Sequence, residues 1–143
     1  MPESDMVIVD AHSHPGEYPE YFSSELSDAF IRGGFGNTPL WWAPERNWTK
    51  EDFGRAPSQI EVMDRLGIGK SLVFGQTALT FKLQTSMDFL AGVVEAHPDR
   101  LFGGHSVDPV GGDKSAAEVE QAVTEYGFKA IKIYPVYNEV KPD

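Results

Sequence analysis

Four short apolar runs recur along the chain, and stretches with helical spacing separate them. The runs lie at residues 6–10, 71–75, 101–107 and 130–134. The first reads Met6, Val7, Ile8, Val9, Asp10, a continuous apolar series that suits a strand buried on both faces. Ahead of the second run, Ser58 offers an N-cap for a helix with Ile60, Met63 and Leu66 on one side and Gly67 as its stop. A second helix is predicted over 86–96, carrying Phe89, Leu90, Val93 and Val94, with His97-Pro98 ending it. A third is predicted over 116–126, with Val119, Ala122, Val123 and Tyr126 spaced three and four apart and Gly127 as its cap. Strands alternating with helices imply an α/β fold whose parallel strands are joined by right-handed crossovers.

Two architectures fit this rhythm: a small open doubly wound sheet, and the first four β/α units of an eight-stranded barrel. A closed barrel takes roughly 200–250 residues, and 143 fall short of that. The chain reaches Lys141, Pro142 and Asp143 straight after the fourth run, so it reads as a barrel truncated before the helix that would cover that strand. Residues 1–143 read as a single domain with a long insertion at about 17–56. The insertion holds Trp41, Trp42 and Trp48, several prolines, and one candidate short helix at 24–31. A segment of this length in a compact domain suggests a lid or a binding segment.

Composition removes several function classes. Lys and Arg total 12 against 22 Asp and Glu, a net charge of −10, which argues against nucleic acid and anionic membrane surfaces as partners. The absence of cysteine excludes disulfides, thiolate metal sites and a cysteine nucleophile. The start lacks the flank and apolar stretch of a secretion signal, and no apolar run is long enough to span a bilayer, so a soluble cytoplasmic protein is expected. Glycine pairs at 33–34, 103–104 and 111–112 form neither a dinucleotide fingerprint nor a phosphate-binding loop.

The chemistry concentrates at Asp10-Ala11-His12-Ser13-His14, at the carboxyl end of the first run. Strand side chains alternate, so Asp10, His12 and His14 are expected on one face. Two imidazoles so placed can tilt onto one ion at about 2.0–2.1 Å. The carboxyl end of a parallel strand is also where catalytic groups belong in these folds. His97, at a helix end before proline, reads as an exposed residue, and His105 as a structural residue with inward orientation as the alternative.

Residues 7–14 resemble the opening of the amidohydrolase superfamily, in particular its amidohydrolase-related branch of metal-dependent hydrolases and non-oxidative decarboxylases. Residues 63–68 (MDRLGI), 96–103 (AHPDRLFG) and 127–135 (GFKAIKIYP) resemble the same branch, in order. The resemblance implies a (β/α)₈ barrel with a divalent metal, most often zinc, at its carboxyl mouth. It implies His12 and His14 as metal ligands, and Asp10 as a group orienting an imidazole or the strand end. The further ligands and the acid/base residues of such enzymes come from strands beyond residue 143, so this chain by itself is expected to be inactive.

If Ile131 and Ile133 face covering helices, Lys132 and Tyr134 face the barrel interior. A lysine there is costly unless paired or altered. Lys132 resembles a position that carries a metal-bridging carboxylated lysine in some relatives; the other reading is an ordinary ammonium that binds an acidic substrate. Trp41, Trp42, Trp48 and Tyr134 are candidates for a substrate pocket, with packing anchors as the alternative for the tryptophans. The expected function is that of a metal-dependent hydrolase or decarboxylase acting on a small substrate bearing a carboxylate or amide. The alternatives are a TatD-like metal-dependent nuclease and a non-catalytic half-barrel that associates with itself or with a second half-barrel.

Overall fold

The computed structural model describes residues 7–15, 58–78 and 83–141. The insertion at 17–56 lies outside the described residues, and with it the candidate helix at 24–31 and Trp41, Trp42 and Trp48. In chain order the elements are β1 (Val9–Ser13), α1 (Gln59–Leu66), β2 (Lys70–Phe74), β3 (Thr77–Ala78), β4 (Leu83–Gln84), α2 (Met87–Glu95), β5 (Leu101–Ser106), α3 (Asp113–Thr124) and β6 (Ala130–Lys132). A 3₁₀ turn, Val136–Asn138, follows β6.

The four main strands form one parallel sheet in the order β1-β2-β5-β6. This order decides between the two architectures left open by the sequence. A doubly wound sheet reverses direction at a switch point, whereas here each strand is added on the same side of the last. Right-handed crossovers then keep every helix on one face, as in the first four units of a (β/α)₈ barrel. β3 and β4 form a separate antiparallel pair within the β2–α2 connection. No described helix is long and apolar enough to cross a membrane.

Local chemistry accounts for the helices. Ser58 and Glu61 form a capping box: the Glu61 N–H donates to Ser58 Oγ at 3.3 Å and the Ser58 N–H to Glu61 Oε2 at 2.8 Å. Gly67 ends α1 in the left-handed region, at φ 70°. Ser86 caps α2 by accepting from the Phe89 N–H at 3.0 Å. α3 starts at Asp113, three residues before the predicted position, because Gly112 turns the chain with φ 57° and no side-chain cap is needed.

The core lies between sheet and helices and comprises Met63, Val73, Leu90, Leu101, Ala122 and Phe128. Two expectations about the outer strands are corrected. Val7, Ile8 and Val9 are exposed rather than buried on both faces, because among the described residues β1 is an edge strand paired only with β2. Ile131 and Ile133 do not sit under helices; they are 37% and 49% exposed, since β6 is the other edge and no described helix packs over it.

Consecutive glycines at the centre of β5 let aromatic rings approach the sheet from both sides. A Cβ at Gly103 would overlap the Phe128 ring, and one at Gly104 would overlap the Phe74 ring. Arg100 ties the foot of β5 to the α1–β2 turn. It donates to the Gly69 carbonyl at 2.9 Å, the Ile68 carbonyl at 2.8 Å and Asp64 Oδ1 at 2.8 Å.

Gly103→Ala is expected to destabilise the fold by about 1–3 kcal/mol through overpacking, and Phe128→Leu in the same chain should restore part of the loss. Arg100→Ala should cost more than Asp64→Ala, because it strands two backbone carbonyls (roughly 1–3 kcal/mol), whereas the exposed ion pair contributes under about 1 kcal/mol. Urea denaturation of the four variants checks both orders.

Candidate metal centre

The end of β1 is held by Ser13, the residue between the two histidines. Ser13 Oγ lies 2.7 Å from Ser71 Oγ on β2, and Gln59 Nε2 on α1 donates to Ser13 Oγ at 3.0 Å. Gln59 and Ser71 are buried. This places Ser13 against the helix side of the sheet, which sends His12 and His14 to the opposite face. The β1–β2 register runs Asp10↔Ser71 and then Ser13↔Val73, so one extra residue of β1 is accommodated between them. Strict alternation therefore does not run through from Asp10 to the histidines. The Asp10 carboxylate accepts from the His12 backbone N–H at 3.0 Å.

The two imidazoles converge. Their rings meet edge to face with centroids 5.1 Å apart, and His12 Nε2 lies 3.2 Å from His14 Nε2. The state of His14 follows from its neighbours. Its Nδ1 sits 2.8 Å from the Phe74 carbonyl, and a carbonyl only accepts, so Nδ1 carries the proton. Burial, opposed by that backbone bond and aided by the charges of Lys132 and His12, lowers its pKa to about 4. The ring is then neutral at ordinary pH, with a bare lone pair on Nε2.

Two further groups reach these lone pairs from the end of β6. Tyr134 Oη lies 3.1 Å from His14 Nε2 and donates to it. Burial, with Tyr137 beside it, pushes the Tyr134 phenol up to about 12, so it stays protonated. Lys132 Nζ contacts His12 Nε2 and stands 4.2 Å from the Tyr134 ring centroid and 5.5 Å from that of Phe74. Burial lowers the Lys132 pKa. Lys132 and Tyr134 thus share one cluster with His12 and His14.

A buried polar network supports the mouth of the sheet. The Thr77 N–H donates to Ser106 Oγ at 3.0 Å and Thr77 Oγ1 to the Ser106 carbonyl at 2.7 Å. Asn138 Nδ2 donates to the Tyr134 carbonyl at 3.0 Å. These residues, with Phe74 and Gln59, escaped the reading of the sequence. Their roles arise from contacts between elements far apart in the chain, and no spacing announces them.

The donor set suits a cation. Two nitrogens bound to one tetrahedral ion at 2.0–2.1 Å stand about 3.3 Å apart, close to the 3.2 Å between the imidazoles. The set is partial: among the described residues, no group of three or more His, Asp or Glu could hold a metal ion.

A protein-family model described as Amidohydrolase matches residues 9–143. No curated protein matches the chain. Among solved structures, an uncharacterized TIM-barrel protein of Bordetella bronchiseptica is 19% identical with a TM-score of 0.59, covering 91% of this chain and 44% of that one. A 5-carboxyvanillate decarboxylase of Novosphingobium aromaticivorans, solved with manganese, is also 19% identical with a TM-score of 0.59, covering 93% and 43%. A 4-oxalomesaconate hydratase of Rhodopseudomonas palustris is 18% identical with a TM-score of 0.56, covering 95% and 45%. The chain therefore spans less than half the length of these structures, and identities this low speak to the fold.

The other two histidines stand apart from the cluster. His97 is exposed at the end of α2. His105 is 3% exposed and faces α3 rather than the barrel interior, with Nε2 3.8 Å from Glu118 Oε2. Burial lowers its pKa, and Glu118 only partly offsets this. Its neutral form is therefore favoured by folding. The stability it contributes is complete above the unfolded value of 6.5 and is lost as pH falls from there through the depressed folded pKa. Thermal unfolding between pH 7.5 and 5 should show a decline that His105→Gln makes shallower. Equal slopes for the two proteins would contradict this.

Proposed function

The chain belongs to the amidohydrolase family, and from that premise we propose that it supplies the first-strand half of a metal centre serving hydrolysis or non-oxidative decarboxylation of a small molecule bearing a carboxylate or amide. The observation that carries the reading is the pair of Nε2 atoms 3.2 Å apart, one with its tautomer fixed by the Phe74 carbonyl. His12 and His14 would hold a divalent cation, with zinc favoured by two imidazole donors and manganese the ion found in one neighbour. When bound, such an ion supplies Lewis-acid polarisation of a carbonyl or carboxylate oxygen and makes water a stronger acid.

The remaining roles fall to the chain's own groups. Asp10 steadies the strand end through the His12 amide. Phe74 fixes the His14 proton on the nitrogen that faces away from the ion. Lys132 offers a cation to a substrate carboxylate, and the Phe74 and Tyr134 rings that flank it supply an apolar wall. The ordinary ammonium is preferred to a carboxylated lysine here, because Lys132 touches an imidazole and two aromatic faces, which suit a positive group.

The exposed apolar residues on and beside the two outer strands, Val7, Ile8 and Val9 on one side and Ile131 and Ile133 on the other, support completion of the barrel by further β/α units. Those units are proposed to bring the missing ligands and the acid/base groups.

Calorimetric titration with Zn²⁺ and Mn²⁺ tests the centre. Wild-type protein is expected to bind one of them at a single site, and His12→Ala or His14→Ala to lose measurable binding while keeping the wild-type circular dichroism. Retained affinity in both variants would remove the basis of the reading.

A further inference from the structure

The groups that crowd the two imidazoles have a consequence for how the site loads. His14 Nε2 has one lone pair, and the Tyr134 hydroxyl is directed at it from 3.1 Å. Lys132 Nζ contacts His12 Nε2, and because an ammonium has only donors, this contact needs a bare lone pair on that nitrogen too. Each lone pair thus already serves a donor from the end of β6. A lone pair directed at a cation cannot also accept a hydrogen bond, and a lysine ammonium repels a cation placed beside it.

Resting on the metal reading above, we propose that Lys132 and Tyr134 compete with the cation for the imidazoles, and that a carboxylate relieves the competition by taking both donors at once. A carboxylate has two oxygens and about four acceptor sites, so it can receive an ammonium and a phenol hydroxyl together. One acceptor group can serve both, because the two donors meet imidazole nitrogens that are only 3.2 Å apart. The apolar remainder of such an anion would lie along Phe74, whose ring faces the Lys132 ammonium at 5.5 Å.

The coupling is reciprocal. A carboxylate that draws Lys132 and Tyr134 away from the imidazoles tightens metal binding, and the metal tightens carboxylate binding by the same factor. Cation and substrate would therefore load together, which limits capture of stray metal in the absence of substrate. This role differs from that of a ligand in a measurable direction. Removing a ligand weakens metal binding, whereas removing a competitor strengthens it.

Titration of the purified 143-residue chain with Zn²⁺, with and without benzoate, tests the proposal, with the His14→Ala protein as the control for complexation in solution. Benzoate is expected to tighten Zn²⁺ binding by roughly tenfold. Lys132→Met and Tyr134→Phe should each bind Zn²⁺ more tightly than wild type without benzoate and lose most of the benzoate effect. Zn²⁺ binding that benzoate leaves unchanged overturns the coupling while the metal site stands, and this arm needs no variant. Weaker Zn²⁺ binding in both variants overturns it as well, because that is the behaviour of ligands. Absence of Zn²⁺ binding in wild type and both variants overturns the metal reading, and the coupling with it.

Discussion

The pairing of β1 with β2 sets the phase on which every chemical feature of the sheet depends. β1 is an edge strand with exposed apolar residues at its start, so general hydrophobic burial does little to fix its register. The contacts that do are polar and local: Ser13 against Ser71, with Gln59 donating to both hydroxyls. A shift of one residue would turn His12 and His14 toward the helices and Ser13 into the interior. Mutually satisfied, with Gln59 and Ser71 buried and Ser13 half-buried, these three side chains act as a register pin whose loss would leave unpaired polar atoms in the core.

The same alternation sorts β5. Gly103 and His105 face the helix side, against Phe128 and Glu118, while Gly104 and Ser106 face the other side, against Phe74 and Thr77. Placing glycine at two successive positions removes side chains that would hold the rings off the sheet. Phe74 can then lie low over Gly104, where its ring stands 5.5 Å from that of His12, edge to face. Its carbonyl, at the end of β2, accepts from His14 Nδ1 and so orients that ring. Packing and site geometry are thus two results of one residue pattern.

The limits of α1 and α2 were legible because their causes are local, whereas α3 starts and ends earlier than its spacing suggested. The capping box at Ser58 and Glu61, the left-handed Gly67 and the Ser86 cap each act within one turn of chain. The four main strands were legible as apolar runs, although β1 begins at Val9 rather than Met6 and β6 ends at Lys132 rather than Tyr134. The β3–β4 pair was not, since strands of two residues carry no periodicity. The side on which His105 lies was not settled by spacing alone; it follows from the pairing of Leu101–Ser106 with its neighbours and from the position of α3.

Read alone, the residues determined an alternating α/β chain, a His-x-His at a strand's carboxyl end and a lysine and tyrosine at another's, because period-two and period-3.6 patterns and helix caps are properties of neighbouring residues. Tertiary structure decided the strand order β1-β2-β5-β6, which selects the barrel type over the doubly wound sheet. It also decided that the end of β6 arrives beside the end of β1, so that Lys132 and Tyr134 meet His12 and His14 across 120 residues of sequence. No local pattern encodes that meeting. It depends on how much each successive strand twists and on which side it joins the sheet, and both are set by packing against helices distant in the chain.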